Sequence, residues 1–390
     1  MRNLQKERDE LEKAVLKLPE KLWAKKSFSL SMIIGIDGFV DEIIHVVDKR
    51  QDFQNYTRIK TIADFGARIS NATGLSTNIE MVTVDAKLGG NGPILTNALL
   101  EYGADVTYIG ALGKPDIHPV FKSMAKRAKA VHSFSALGHS DACEFEDGKI
   151  MLGKHSSLKE ITWEAVKSAL DGAEGISKLI QDCQLFGMEN WTMIPYMSEI
   201  WEGIIDEVFP LLPHIQKNEE KPLAFFDLAD PEKRTREDII RAMTLISKFE
   251  EKFRVILGLN EKEVYEIANA LEIGIKPHDS EQMLKSAIME THKNLGIYCL
   301  MAHPVKSACC AIGGEYYAIE GSYCQQPKLT TGAGDNLNAG FCIGMSLGLD
   351  ATSCLVLGVC TSGYYVRNAK SPSFEQVIEF ARQWGNGYLT

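Results

Sequence analysis

No two of the nine cysteines stand three residues apart, so the chain has neither a CxxC redox pair nor a zinc-ribbon spacing. The odd count argues against a full disulfide set, and Cys354 and Cys360 fall in apolar stretches where they read as small buried hydrophobes. A reducing compartment is the expectation. The first thirty residues mix charge with Leu and Val at helical spacing and lack the apolar block of a signal peptide. The most apolar stretch, 339–360, is interrupted by Asp350 and punctuated by Gly344, Gly348 and Gly358. It reads as two buried helices and not as a membrane span. A long basic run is also missing. With 42 Lys+Arg against 52 Asp+Glu the net charge is −10, and the scattered positive charges cannot track a phosphate backbone. That sets aside nucleic acid and membrane as partners and leaves a soluble, cytoplasmic protein as the expectation.

What is present is a large apolar fraction, 45% of 390 residues, ample for a deep core but long for one compact domain. One main domain over 31–390 with a helical extension over 1–30 fits best. Residues 1–18 read as a surface helix whose Leu4, Leu11, Val15 and Leu18 share a face, with Pro19 ending or kinking it. Short apolar runs follow as SMIIGI (31–36), VTYIGALG (106–113), CQLFGM (183–188), LAFFDL (223–228), RVILGL (254–259) and GIYCLM (296–301). Amphipathic segments of helical period separate them. That alternation predicts an α/β fold with a mostly parallel sheet covered on both faces. Two stretches break the rhythm, about 37–85 and 131–153, where short alternating β-like segments predict a small separate sheet. In such folds ligands bind beyond the carboxyl ends of the strands.

The segment LTTGAGDNLNAGFCIGMSLG (329–348) carries the chemistry. Gly332, Ala333 and Gly334 at a helix start let backbone amides converge on one spot, where the helix dipole adds partial positive charge. That suits the charge developing on a transferred phosphoryl group. An acidic Asp335 beside an anion hole would repel phosphate, and makes sense if it accepts the proton of an attacking hydroxyl. Asp335 as a plain helix cap is the competing reading. Other phosphate loops do not fit: there is no GxxxxGK, and Leu337 stands where GxGxxG needs its third glycine.

TTGAGDNLNAG resembles the C-terminal signature of the ribokinase-like, phosphofructokinase-B type carbohydrate kinases, although Asn336-Leu337 replaces the usual small-plus-aromatic pair. LGGNGPILTNALLEYGADVTYIGALG (88–113) resembles the same family's Gly-Gly segment, in the expected order and separation. The resemblance spans roughly 31–385. It implies a Rossmann-like three-layer core with a small β-sheet lid, which in many members also makes a homodimer interface. It further implies ATP as donor, Mg²⁺, and a sugar or nucleoside acceptor.

On this resemblance the 332–334 amides hold the phosphoryl oxygens and Asp335 is the base. Asp37 or Asp41, in GIDGFVDEI, grips the acceptor, with Gly89, Gly90 and Asn91 as the opposite wall. Asn260 and Glu263 match the NxxE element of the metal and phosphate network, Glu263 acting through water, while the same pair also reads as a capping box. Thr331, Asn260 and His303 are the candidates toward the nucleotide. Asp230, Pro231 and Arg234 fit the family's Asp-Pro-Asn-x-Arg, with Glu232 in place of its Asn. Ile94 stands where the family often has a sugar-contacting Asn, so the acceptor's identity stays open. Besides a sugar kinase, a nucleoside kinase and a non-catalytic sugar or nucleotide sensor remain on the table.

Overall fold

A computed structural model describes residues 2–25, 29–213, 220–275 and 280–389, with side chains from Glu10 onward, so that of Leu4 lies outside the described ones. Among the described residues, no helix is long and apolar enough to cross a membrane.

A nine-stranded sheet runs, edge to edge, through Glu315–Glu320, Ser307–Ile312, Cys299–Ala302, Arg254–Leu259, Leu223–Asp227, Leu185–Glu189, Ser31–Ile36, Asp105–Gly110 and Ala130–Ser133. The last seven in that order are parallel, and the first two close one edge as an antiparallel hairpin. The inner strands are apolar on both faces because helices cover both sides, giving two large core clusters. The buried stretch over 339–360 resolves into the helices Ala333–Ser346 and Ala351–Asn368, which pack on each other.

The N-terminal helix runs Arg2–Trp23, four residues beyond Pro19. Burial explains this: Leu18 and Leu22 are fully buried in the core that also holds Val377, Ile378 and Ala381 of the C-terminal helix Phe374–Gly385. A Cβ on Gly385 would come within 2.7 Å of the Leu16 side chain, so the two helices touch almost backbone to side chain. Packing of this kind outweighs one missing helical hydrogen bond.

The second sheet has five strands. Phe39–Arg50 pairs with Tyr56–Arg58, Met81–Gly89 and Gly138–Phe145, and the last of these pairs with Gly148–Lys154. Its two faces differ. Ile44, Val46, Cys143, Phe145 and Ile150 pack under the helix Ile62–Ser70 as a small core of their own. Asp41, Ile43, Lys87, Ala142, Lys149 and Met151 face the main domain across a cavity of about 320 Å³.

Candidate active site

The first strand ends at Ile36, and the next residue, Asp37, is completely buried. Its carboxylate accepts from the amides of Asn91 (3.0 Å) and Gly92 (2.9 Å) and from Asn190 Nδ2 (2.7 Å). The two amides open the helix Asn91–Glu101, whose N-terminus favours a carboxylate. Close approach is possible because Gly90, at φ +93°, has no side chain: a Cβ there would lie 2.8 Å from Asp37 Oδ2. Burial pushes the Asp37 pKa up to about 6 even though these hydrogen bonds pull the other way.

Asn91 joins the two halves of the site. Its amide holds Asp37, and its Nδ2 donates to Asp335 Oδ1 at 3.0 Å, across 244 residues of sequence. Asp335 lies in the first turn of Ala333–Ser346, after Gly332 in the left-handed region at φ +85°. Burial, and next the charge of Asp37, push its pKa up to about 7. The Ala333 amide closes a turn on the Thr330 carbonyl at 3.1 Å, so it is already engaged and not free to hold a phosphoryl oxygen as the resemblance implies. Thr331 is exposed, and its carbonyl accepts from the Tyr365 hydroxyl at 2.9 Å.

Two acids that sequence reasoning did not single out complete the floor. Glu189 and Asp227 end adjacent strands, and one carboxylate oxygen from each lies within 4.8 Å of one from Asp335. Asp227 accepts from Asn338 Nδ2 (3.0 Å) and the Ala229 amide (3.0 Å). Both Glu189 oxygens are buried without a hydrogen-bond partner. Burial first, then the charges of its neighbours, hold the Glu189 and Asp227 carboxyls well above the carboxylate range. Adjacent strand ends in a parallel sheet bring such side chains together without a local sequence motif.

Asp41 is the candidate that lines the cavity, on the lid strand. Its carboxylate takes a hydrogen bond from Ser140 and lies near Lys149, and a Cβ on Gly89 would lie 2.6 Å from it. Ile94 and Thr331 line the same cavity, which therefore reaches the Gly332 turn. His303 sits beside that turn, its ring 3.0 Å from a Cβ built on Gly334. Burial lowers its pKa to about 4, so the ring is neutral near pH 7.

Asn260 and Glu263 form a capping box at the start of Glu261–Ala270. Both Glu263 oxygens are taken by amides, Oε2 by Asn260 and Oε1 by Asp230, each at 2.8 Å. Asp230 and Arg234 do not point into the site. The former pairs with Lys262 and Lys233, and the latter grips backbone carbonyls of the loop after Asn190.

The family model of prokaryotic ketohexokinase matches residues 5–384. A ketohexokinase from Haloferax volcanii is 24% identical over 360 residues, covering 92% of this chain and 91% of that one. Among solved structures, Arabidopsis thaliana ribokinase complexed with ribose and ATP aligns with a TM-score of 0.61 at 14% identity, over 91% of this chain and 98% of its own. A phosphofructokinase-2 mutant from Escherichia coli aligns at 0.62 and 10% identity, over 92% and 99%. At these identities the structures attest the shared fold.

Proposed function

The chain belongs to the prokaryotic ketohexokinase family, and from that premise we propose that it moves the γ-phosphoryl group of ATP onto a hydroxyl of a ketohexose. It is a sugar kinase, a phosphotransferase acting on an alcohol group. The observation that carries the finer reading is the Asp335–Asn91–Asp37 connection, which lies behind the lid-covered cavity: Asn91 opens the helix whose Ile94 lines the cavity, and Asp335 follows the Gly332 turn that Ile94 packs against. One side chain there links the base to the wall of the acceptor site.

The acceptor lies in the cavity with Asp41 as its carboxylate ligand. Asp41 reaches the open space, whereas Asp37 already accepts three hydrogen bonds and has one lone pair left for a ligand. Asp37 therefore serves as the pin that holds the Gly90–Asn91 wall. Asp335 takes the proton of the attacking hydroxyl, and Asn91 fixes which of its oxygens faces the acceptor. The N-terminus of Ala333–Ser346, with its Gly332–Gly334 turn, lies where negative charge develops. His303 borders that turn at Gly334, on the donor side, where its neutral ring can accept a hydrogen bond, and Thr331 stands at the edge of the acceptor cavity next to the turn.

Glu189 and Asp227 fit a hard divalent cation. They supply carboxylate oxygens close together, and those of Glu189 have no other partner. Mg²⁺ bound there would neutralise phosphate charge. Glu263 acts one step back, since its two oxygens tie the segment carrying Asp227 to the helix Glu261–Ala270. The lid completes the cavity within one chain.

An ADP-release assay with ketohexoses, aldohexoses and nucleosides as acceptors tests this reading. Ketohexoses should give the highest kcat/KM, and a preference for nucleosides would overturn the acceptor assignment.

A further inference from the structure

The segment between Leu223–Asp227 and the helix Arg236–Lys248 is held more tightly than the reaction scheme requires. Ala229 and Asp230 are consecutive non-glycine residues in the left-handed region, at φ +57° and +67°. That conformation is costly for L-residues and persists where surrounding contacts over-determine it. Here they do. The Ala229 amide is held by Asp227 Oδ1 and the Asp230 amide by Glu263 Oε1, while the Asp230 carboxylate bridges Lys262 (3.0 Å) and Lys233 (3.2 Å). The short turn Pro231–Lys233 then delivers Arg234.

Arg234 spends its donors on a single loop. Nη2 donates to the carbonyls of Trp191 (3.1 Å) and Ile194 (2.7 Å), and Nε to that of Thr192 (3.1 Å). Its guanidinium lies 4.9 Å over the Trp191 ring, and its nearest carboxylate in an ion pair, Asp238, is 4.0 Å away. The gripped loop starts at Asn190, itself left-handed at φ +64°, whose amide donates to the Asp227 carbonyl at 2.9 Å. The Thr192 amide donates to the Leu228 carbonyl at 2.9 Å, so the two loops hold each other. What this clamp presents to the site is Asn190 Nδ2 on Asp37.

We infer that Arg234 is a positioning residue for the acceptor site. By fixing the loop 190–194 it sets the Asn190 carboxamide on Asp37, and Asp37 in turn holds the amide of Asn91, whose side chain reaches Asp335. The planar fork is what the role requires, since three carbonyls at different angles and a ring face cannot be served by the point charge of a lysine. A mere staple between two loops would set stability alone; a positioning residue also sets acceptor affinity. The inference rests on the acceptor assignment above.

The test uses the full-length enzyme with fructose and MgATP, varying each in turn, and acceptor affinity by calorimetry in parallel. Arg234→Ala should raise the acceptor KM roughly tenfold to a hundredfold, the cost of one lost charge-assisted hydrogen bond, while the ATP KM stays within about twofold. Methylguanidine should restore part of the loss, and Arg234→Lys should fall between. Asn190→Ala should reproduce the effect, and the double variant should be no worse than the worse single one, because both act on one contact. An unchanged acceptor KM in folded Arg234→Ala, or additive losses in the double variant, would overturn the inference. Where Arg234→Ala fails to fold, an unchanged acceptor KM in Asn190→Ala overturns it equally. An inactive wild type would refute the kinase reading instead, and the calorimetric comparison would still decide this one.

Discussion

Replacing Asp335 by Asn separates a catalytic carboxylate from a helix cap by two independent readouts. Asn is nearly isosteric and can keep a hydrogen bond to Asn91, so the fold and nucleotide binding should survive. Turnover should fall by roughly 10²–10⁴, the usual worth of a positioned general base. Stability should move the other way. Burial raises the folded pKa of Asp335 to about 7 from 3.8, roughly 3 pH units, and at 1.36 kcal/mol per unit this is on the order of 4 kcal/mol. The sign follows from linkage: the folded state binds the proton more tightly than the unfolded state. The stability Asp335 contributes is therefore fully present below pH 3.8 and is lost as pH rises through about 7. Asn cannot ionise. Thermal unfolding of the metal-free proteins at pH 5 and pH 8 should show the variant more stable than wild type, by a larger margin at pH 8. A helix cap would behave in the opposite way, losing about 1 kcal/mol on replacement and leaving kcat intact. Near-wild-type turnover, or a lower melting temperature at pH 8, would refute the assignment of Asp335.

Glu189→Gln should raise the Mg²⁺ concentration for half-maximal rate at least tenfold and abolish the extra thermal stabilisation that Mg²⁺ gives wild type at pH 8; an unchanged metal titration would remove Glu189 from the cation site. Asp41→Ala should raise the acceptor KM roughly tenfold to a hundredfold while leaving the melting temperature nearly unchanged, because Asp41 lies on the cavity wall. Asp37→Ala should raise the acceptor KM too, but with a lowered melting temperature and kcat, since it strands the amides of Asn91 and Gly92; a stable Asp37→Ala that changes only the acceptor KM, beside a destabilised Asp41→Ala, would exchange the two roles.

Six of the seven parallel strands were legible because strands buried on both faces need uninterrupted apolar runs, and runs such as RVILGL stand out from the amphipathic helices around them. The seventh, Ala130–Ser133, is a half-buried edge strand of the main sheet that falls at the start of the stretch 131–153 expected to form the small sheet, which takes only Gly138–Phe145 and Gly148–Lys154 from there. The edge hairpin Ser307–Ile312 and Glu315–Glu320 carries a sequence signal of its own: Gly313-Gly314, both at positive φ, is a two-residue hairpin turn. Pro19 misled because local propensity stops a helix where burial of Leu18 and Leu22 carries it on. In the site, Asp335 was readable from its glycine-rich neighbourhood, since a backbone turn leaves a local imprint. Glu189, Asp227 and Asn190 were not, because a lone polar residue at a strand end looks like any turn residue until topology brings the ends together. Asp230 matched a motif, yet three positions earlier Asp227 is the residue that reaches the floor, and the left-handed pair Ala229–Asp230 is what turns Asp230 out toward Lys262.

Phosphorus NMR of the purified enzyme incubated with Mg²⁺, ATP and fructose tests the central claim most directly, because it follows the γ-phosphorus itself. The site described here predicts that the γ-signal is replaced by one phosphomonoester signal in a one-to-one ratio with ADP, that no inorganic phosphate accumulates, and that omission of the ketose stops ATP loss. Release of inorganic phosphate at the same rate with and without the ketose would contradict it.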